Sequence, residues 1–215
     1  MTLPPWVPGD EHDWKPAPEP LLLVQAFVNT RDLDLGTDLL AEAGTGTDWL
    51  RLSGLLAPGA TAGPDDLRTA RDVRECIRAL ITHNGGGPEP AEPDLAPVRA
   101  LTSSSRPRLT IGRAGLVQIE SGPAGLVADG LVRLLVIIRD AQRDGTWPRL
   151  KACGNAECGW AFYDRSHSRR GAWCDMASCG NLIKNRNLRA RRSGRAGQGR
   201  AEARAGRPAR AGQAT

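Results

Sequence analysis

The stretch KACGNAECGWAFYDRSHSRRGAWCDMASCGN, residues 151–181, decides how the rest of the chain is read. Four of the five cysteines lie in it as Cys153-x4-Cys158, fifteen intervening residues, then Cys174-x4-Cys179. Two short loops of this kind each bring a pair of thiolates to one ion without stretching the backbone, and four thiolates make a closed tetrahedral set for Zn2+. The competing reading is a set of disulfides. The chain opens without the charged and apolar segments of a secretory leader, which points away from an oxidising compartment. Gly154 and Gly159 fall where a tight knuckle calls for positive φ, and Trp160 to Tyr163 reads as a short strand. The ion is expected to join elements too small to hold together alone, so losing Cys153 or Cys179 would unfold this module by itself.

The filling of the spacing carries a resemblance. Phe162, Asp164, Ser166, Trp173, Cys174, Met176, Cys179, Gly180 and Asn181 match the pattern of the CGNR-type zinc finger, which the segment resembles. Leu182 stands where that family has its name-giving arginine, while Lys184 and Arg186 keep the basic spacing that follows. Upstream, Phe27, Val28, Asn29 and Thr30, then a polar loop and Trp49-Leu50, resemble the ABATE domain, a stress-response regulator domain that usually precedes this finger. Ala26 departs from it, at a place where members carry an aspartate. The resemblance spans roughly residues 21–192. It implies a transcription regulator whose body senses a small-molecule effector or mediates a homodimer.

Charge divides the chain. From Arg149 onward there are fifteen Lys and Arg against four Asp and Glu, whereas the first 148 residues carry fourteen against twenty. A basic C-terminal third on a mildly acidic body is the distribution expected of a polyanion-binding module on a separate scaffold. The blander reading is compositional: Arg outnumbers Lys twenty-six to three, and arginine-rich surfaces also serve simply to solvate.

Residues 1–20, with six prolines, read as an extended arm whose Trp6 and Trp14 pack back on the body or anchor a partner. Leu21 to Val28 is an apolar run read as a helix. A second helix is expected over Thr47 to Leu56, with Thr47 as N-cap. Asp65 to His83 repeats Leu67, Ala70, Val73, Ile77, Leu80 and Ile81 at three and four, with acidic residues in its first turn. Cys76 beside that face reads as a small core residue. Leu95 to Leu101 forms another short helix, Arg108–Ile111 and Leu116–Glu120 a β-hairpin, and Pro123 opens a last helix to about Arg143 that pays for Gly130 in stability. The expected fold class is mainly α (α+β): a helical body with a small hairpin, followed by a small treble-clef-like four-cysteine zinc module. The expected organisation is arm 1–20, ABATE-like domain 21–146, CGNR-like finger 147–192 and a disordered basic tail 193–215.

The expected function follows from the module. A helix after Cys179 would carry Lys184, Arg186, Arg189, Arg191 and Arg192 outward, with Leu182, Ile183 and Leu188 packed on the knuckle, and Arg165, Arg169 and Arg170 would add a second patch from the loop between the cysteine pairs. Such contacts hold DNA phosphates with steep salt dependence, and Asn185, Asn187 or an arginine would have to reach base edges for specificity. Two other classes stay open: a protein-interaction adaptor, and an RNA binder, for which only Trp160, Phe162, Tyr163 and Trp173 offer stacking surfaces. An enzyme is disfavoured, because four cysteines close the metal and His12, His83 and His167 are scattered. No apolar run approaches the length of a membrane span, and a cytoplasmic location is expected.

Overall fold

Leu21–Val28 forms α1, and all eight of its residues are buried because other elements surround it, so that apart from Gln25 it is apolar on every side. This computed structural model describes residues 4–7, 15–105, 107–120, 125–186 and 188–189. Trp14, His12, Pro123, Arg191, Arg192 and the tail 193–215 therefore lie outside the described residues. The chain divides into two compact units, residues 1–174 and 175–215.

In the first unit, α1 runs into a two-residue ladder of β1 (Arg31–Asp32) and β2 (Thr37–Asp38), in which Arg31 pairs with Asp38. Helix α2 spans Ala43–Leu52, starting before the expected cap. Thr47 is buried in its middle, and its hydroxyl accepts the Ala62 N–H at 3.1 Å. Gly46, on the stretch that precedes Trp49, is a packing residue, since a Cβ on it would sit 2.7 Å from Leu67 Cδ2. Helix α3 spans Pro64–Asn84, with proline in its first turn and the Asp66 carboxylate accepting the Gly63 N–H at 2.9 Å. Its Leu67, Ala70, Val73, Ile77 and Ile81 are buried as their spacing predicts, and Cys76 is a core residue. Burial raises the Cys76 thiol, with the charge of Asp94 adding to it.

Helix α4 (Glu92–Ser104) is longer than its apolar residues suggest, because Asp94 accepts the Ala91 N–H at 2.8 Å and fixes its start. Strands β3 (Arg108–Ile111) and β4 (Val117–Glu120) pair antiparallel, Leu109 opposite Ile119 and Ile111 opposite Val117. Helix α5 covers Val127–Arg143. Val127, Leu131, Leu134 and Ile138 are buried in it, but Leu126 precedes the helix and is exposed. A 3-10 turn, Trp147–Arg149, leads to β5 (Leu150–Ala152), which pairs with β6 (Ala161–Tyr163). Helix α1 packs on α5, α3 and β6, and α3 on α4, α5 and β5. Trp147, Leu150, Ala152, Ala161 and Tyr163 belong to the same apolar cluster as Phe27, Ile77 and Leu131. The cysteine-bearing hairpin thus shares the helical body's core. Trp6 packs back on this core, and its carbonyl accepts the Trp49 indole N–H at 2.8 Å.

Gly130 turns out to be more than a weak point in α5. A Cβ there would lie 2.0 Å from the Leu55 carbonyl oxygen and 2.8 Å from its carbon, so α5 crosses the backbone at this glycine. In an exposed helix Gly→Ala stabilises by up to about 1 kcal/mol. Here the sign reverses: Gly130→Ala is expected to destabilise by about 1–3 kcal/mol through overpacking, read as a lower urea midpoint at unchanged m-value.

The second unit opens with a π-helical turn, Met176–Gly180, whose start is capped by the Asp175 carboxylate accepting the Ser178 N–H at 2.6 Å. Residues 181–186 and 188–189 are helical. No helix among the described residues is long and apolar enough to cross a membrane.

Candidate metal centre

Strand β5 delivers Cys153 to a knuckle closed by its own backbone. Cys153 N–H donates to the Trp160 carbonyl at 2.9 Å, and the Cys158 and Gly159 N–H groups donate to the Asn155 carbonyl at 2.9 and 3.0 Å. Gly159 takes φ +56°, as expected of a knuckle glycine. Gly154 does not: its place requires closeness, because a Cβ would meet the Ala172 carbonyl and the Trp173 ring at 3.1 Å. Its N–H donates to that carbonyl at 2.8 Å and so ties the knuckle to the segment entering Cys174.

The sulfur atoms of Cys153, Cys158, Cys174 and Cys179 all lie within 4.8 Å of one another. Tetrahedral zinc with Zn–S bonds of about 2.3 Å has S···S edges of about 3.8 Å, and Cys158 and Cys174 stand 3.7 Å apart. No histidine or carboxylate joins the set among the described residues, and His167 is exposed in the loop between the pairs. The donor set therefore fits zinc in a closed, structural role. Crowding splits the acidity of the thiols. Hydrogen bonds from Cys158 and Cys174 draw the Cys153 thiol down, while the bond to Cys153 pushes Cys158 up and, with that from Cys158, raises Cys174 as well. Zinc needs thiolates, so it displaces these shared protons and binds more tightly as pH rises.

Polar side chains of the body hold this hairpin. The Asn29 amide pairs with the Ala161 backbone in both directions, accepting its N–H at 2.7 Å and donating to its carbonyl at 3.0 Å. Gln25 donates to the same carbonyl at 3.1 Å. From α3, Arg78 donates to the Gly159 and Val28 carbonyls at 2.5 and 2.8 Å, and Asn84 to the Trp147 and Leu150 carbonyls at 3.0 Å. Asn29 was named from sequence only as part of the ABATE resemblance, and none of these residues was expected to fasten the hairpin. The available signal was two amides four residues apart, Gln25 within the otherwise apolar α1 and Asn29 at its C-terminal cap.

Behind the loop 164–171 lies a buried ion pair that sequence reasoning also missed. Lys151 Nζ is 2.8 Å from Asp164 Oδ2 and also donates to the carbonyls of Arg169 at 2.6 Å and Gly171 at 3.3 Å. Burial alone would raise the Asp164 carboxyl. Hydrogen bonds from Lys151, Ser166 and Gly171 outweigh it and hold the group well below the usual carboxylate range. Asp164 is a turn residue, as expected, and also the counter-ion of a lysine in the middle of a strand.

Arg165, Arg169 and Arg170 are exposed in that loop, with Arg165 donating to the Pro16 carbonyl at 2.8 Å. In the second unit Lys184, Arg186 and Arg189 are exposed. Leu182 and Leu188, expected to be covered, are 44% and 47% exposed, and Ile183 is half-buried. Phe162 and Tyr163 are buried, which removes them as stacking surfaces for bases.

Comparison with known families agrees with this geometry. A family model named ABATE and described as "Putative stress-induced transcription regulator" matches residues 21–141, and the CGNR zinc finger model matches residues 149–192. These families are of regulator and zinc-finger type rather than enzymes. No curated protein gives a significant match to the chain.

Proposed function

The chain belongs to the ABATE family and carries a CGNR zinc finger over residues 149–192, which makes it a zinc-binding regulator, and from that premise we propose that it contacts DNA through the finger's basic loop and following helix. The observation that carries the proposal is the exposure of Arg165, Arg169, Arg170, Lys184, Arg186 and Arg189, which flank the four clustered cysteines in sequence while the hairpin's phenyl and phenol rings are turned inward. Arg191 and Arg192 extend the same basic run in sequence. Cys153, Cys158, Cys174 and Cys179 hold the zinc, which fixes the knuckle and takes no part in chemistry.

The body, residues 21–146, supplies the input and the finger, residues 147–192, the output. Between α3, α4 and α5 runs a groove of about 610 Å3, lined by Thr69, Asp72, Ala100, Leu101 and Leu131 among others, with room for a small-molecule effector. A homodimer would form on the β3–β4 hairpin, whose Leu109, Ile111 and Val117 are exposed. A two-stranded hairpin is marginal without something packed on its apolar face. The protein works in the cytoplasm.

Duplex binding by the zinc-loaded protein, measured across a salt series, tests the proposal. The affinity is expected to fall steeply with salt, and changing Lys184, Arg186 and Arg189 together to alanine is expected to reduce the log–log slope by about 2.7. A wild-type protein with no duplex affinity, or with affinity indifferent to salt, would move the assignment to a protein-interaction adaptor.

A further inference from the structure

The loop between the cysteine pairs has an unusual polarity. Its carbonyl groups are gathered by two cations behind it: Arg149 Nη1 takes those of Asp164 and Ser166 at 2.9 and 3.0 Å, and the buried Lys151 takes those of Arg169 and Gly171. The loop's only carboxylate, Asp164, is also turned inward, onto Lys151 and the N–H groups of Ser166 and Gly171 at 3.0 and 2.7 Å. Every acceptor named here is thereby occupied. A turn closed by Arg169 N–H on the Ser166 carbonyl at 3.3 Å then leads into Arg169 itself, at φ 54°, the one non-glycine positive φ among the described residues. Such a residue costs about 1–2 kcal/mol in this conformation, and the Lys151 bond to its carbonyl helps hold it there.

A turn that passes into the left-handed region brings successive N–H groups to one concave side, the nest that binds anions. Among the described residues the N–H groups of His167, Ser168 and Arg170 have no hydrogen-bond partner, and neither does the Ser168 hydroxyl or the guanidinium of Arg169 or Arg170. All of these side chains are exposed.

We propose that residues 164–171 form a prearranged oxyanion site, in which the nest amides and the Arg169 and Arg170 guanidinium groups take one phosphate group, and that Lys151 is its positioning residue. The proposal rests on the DNA reading for its ligand, a backbone phosphodiester of duplex DNA. It goes beyond that reading in assigning the contact to a rigid backbone site instead of a run of mobile side chains. Free phosphate shares the chemistry, and the experiment separates the two sources. The site holds a phosphate in a fixed place relative to the knuckle, which sets register on a duplex without reading bases.

The test uses full-length, zinc-loaded, 15N-labelled protein with three arms. Inorganic phosphate is titrated while the amide signals of Ser168 and Arg170 are followed. Duplex DNA is titrated in the same way. Duplex affinity is also measured across a salt series for the wild type and for Arg169→Ala/Arg170→Ala, a change of exposed residues that leaves the fold intact. Expected are saturable shifts of those amides with both ligands, and a salt slope lowered by about 1.8 in the double variant. Lys151→Met is expected to abolish the amide response with both arginines still present and zinc content unchanged. Where that variant does not fold, the double variant decides. Duplex binding that the double variant keeps at the wild-type slope, with no shift at Ser168 or Arg170, overturns the loop site and leaves the DNA reading standing. Phosphate shifts at the loop in a protein with no duplex affinity do the reverse: they support the oxyanion site, assign it to free phosphate and overturn the DNA reading.

Discussion

Cys174→Ser is expected to lose the zinc and to lower the melting temperature of the whole first unit by about 10 °C or more. Structural zinc contributes about 10–16 kcal/mol of apparent binding free energy in finger peptides, against a net domain stability of about 5–15 kcal/mol. About 5 kcal/mol of lost stabilisation shifts the melting temperature of a domain of this size by about 10–20 °C. Unfolding of the module alone, the expectation from its cysteines, does not suit this architecture. Leu150, Ala152, Ala161 and Tyr163 sit in one apolar cluster with residues of α1, α3 and α5, and Asn29, Arg78 and Asn84 bond the hairpin's backbone from the body. A hairpin that comes apart therefore opens the core it helps to close. Metal analysis should read one zinc per wild-type chain and none in the variant, and calorimetry should show one transition that moves as a whole. A variant in which residues 150–174 lose their amide dispersion while the helices melt at the wild-type temperature would refute the coupling.

What could be read from sequence follows the physics of each signal. The thiol set was legible because metal spacing is local and chemically specific, and Cys153 and Cys158 alone define a knuckle. Helix α3 was legible because its burial repeats at the period of its own geometry, α1 because its run is apolar nearly throughout, and the β3–β4 hairpin because its residues alternate on either side of a short turn. The fastenings were not legible. Asn29 meets Ala161 across 132 residues and Arg78 meets Gly159 across 81, and a pairing of that kind leaves no periodic mark. Lys151 stands in a strand of only three residues, too short for an alternation to show which way it faces. Gly130 was misjudged for another reason. Propensity reads a glycine as a break or a loss, whereas this one marks a place where a neighbouring backbone comes too close for a side chain.

The same blindness hid the arginines of α3. On the helical pattern Arg74 belongs to a polar face, yet it is 1% exposed and holds the β1–β2 ladder to the helix. Its two terminal nitrogens bond both Asp38 oxygens at 2.6 and 2.7 Å, one of them also reaches Thr30 Oγ1 at 3.0 Å, and its Nε is 3.0 Å from Glu75. Glu75 in turn holds Arg78 at 2.9 Å, and Arg78 carries the knuckle carbonyl of Gly159. Arg74→Met keeps most of the stem and removes the charge, leaving Asp38 without its partner. Breaking one side of a buried pair costs about 3–5 kcal/mol, so the variant should lose that much stability in urea at pH 7. The loss should depend on pH. Burial raises the carboxyls of Asp38 and Glu75, but the hydrogen bonds and charge of Arg74 outweigh this for Asp38, and those of Arg78 and then Arg74 for Glu75, so both are held below their ordinary values. A carboxylate lowered in the folded state takes up its proton first in the unfolded chain. Its contribution is therefore complete above the ordinary value of about 4 and is lost as pH falls through the lower folded value. The gap between wild type and Arg74→Met should accordingly be full at pH 7 and 5 and narrow below about pH 4, with zinc content followed in parallel because acid also releases the metal. A gap below 1 kcal/mol at pH 7 would remove Arg74 as a fastening of the fold, and a gap constant into acid would show that packing of its stem, rather than its charge on Asp38, holds β1 and β2 in place.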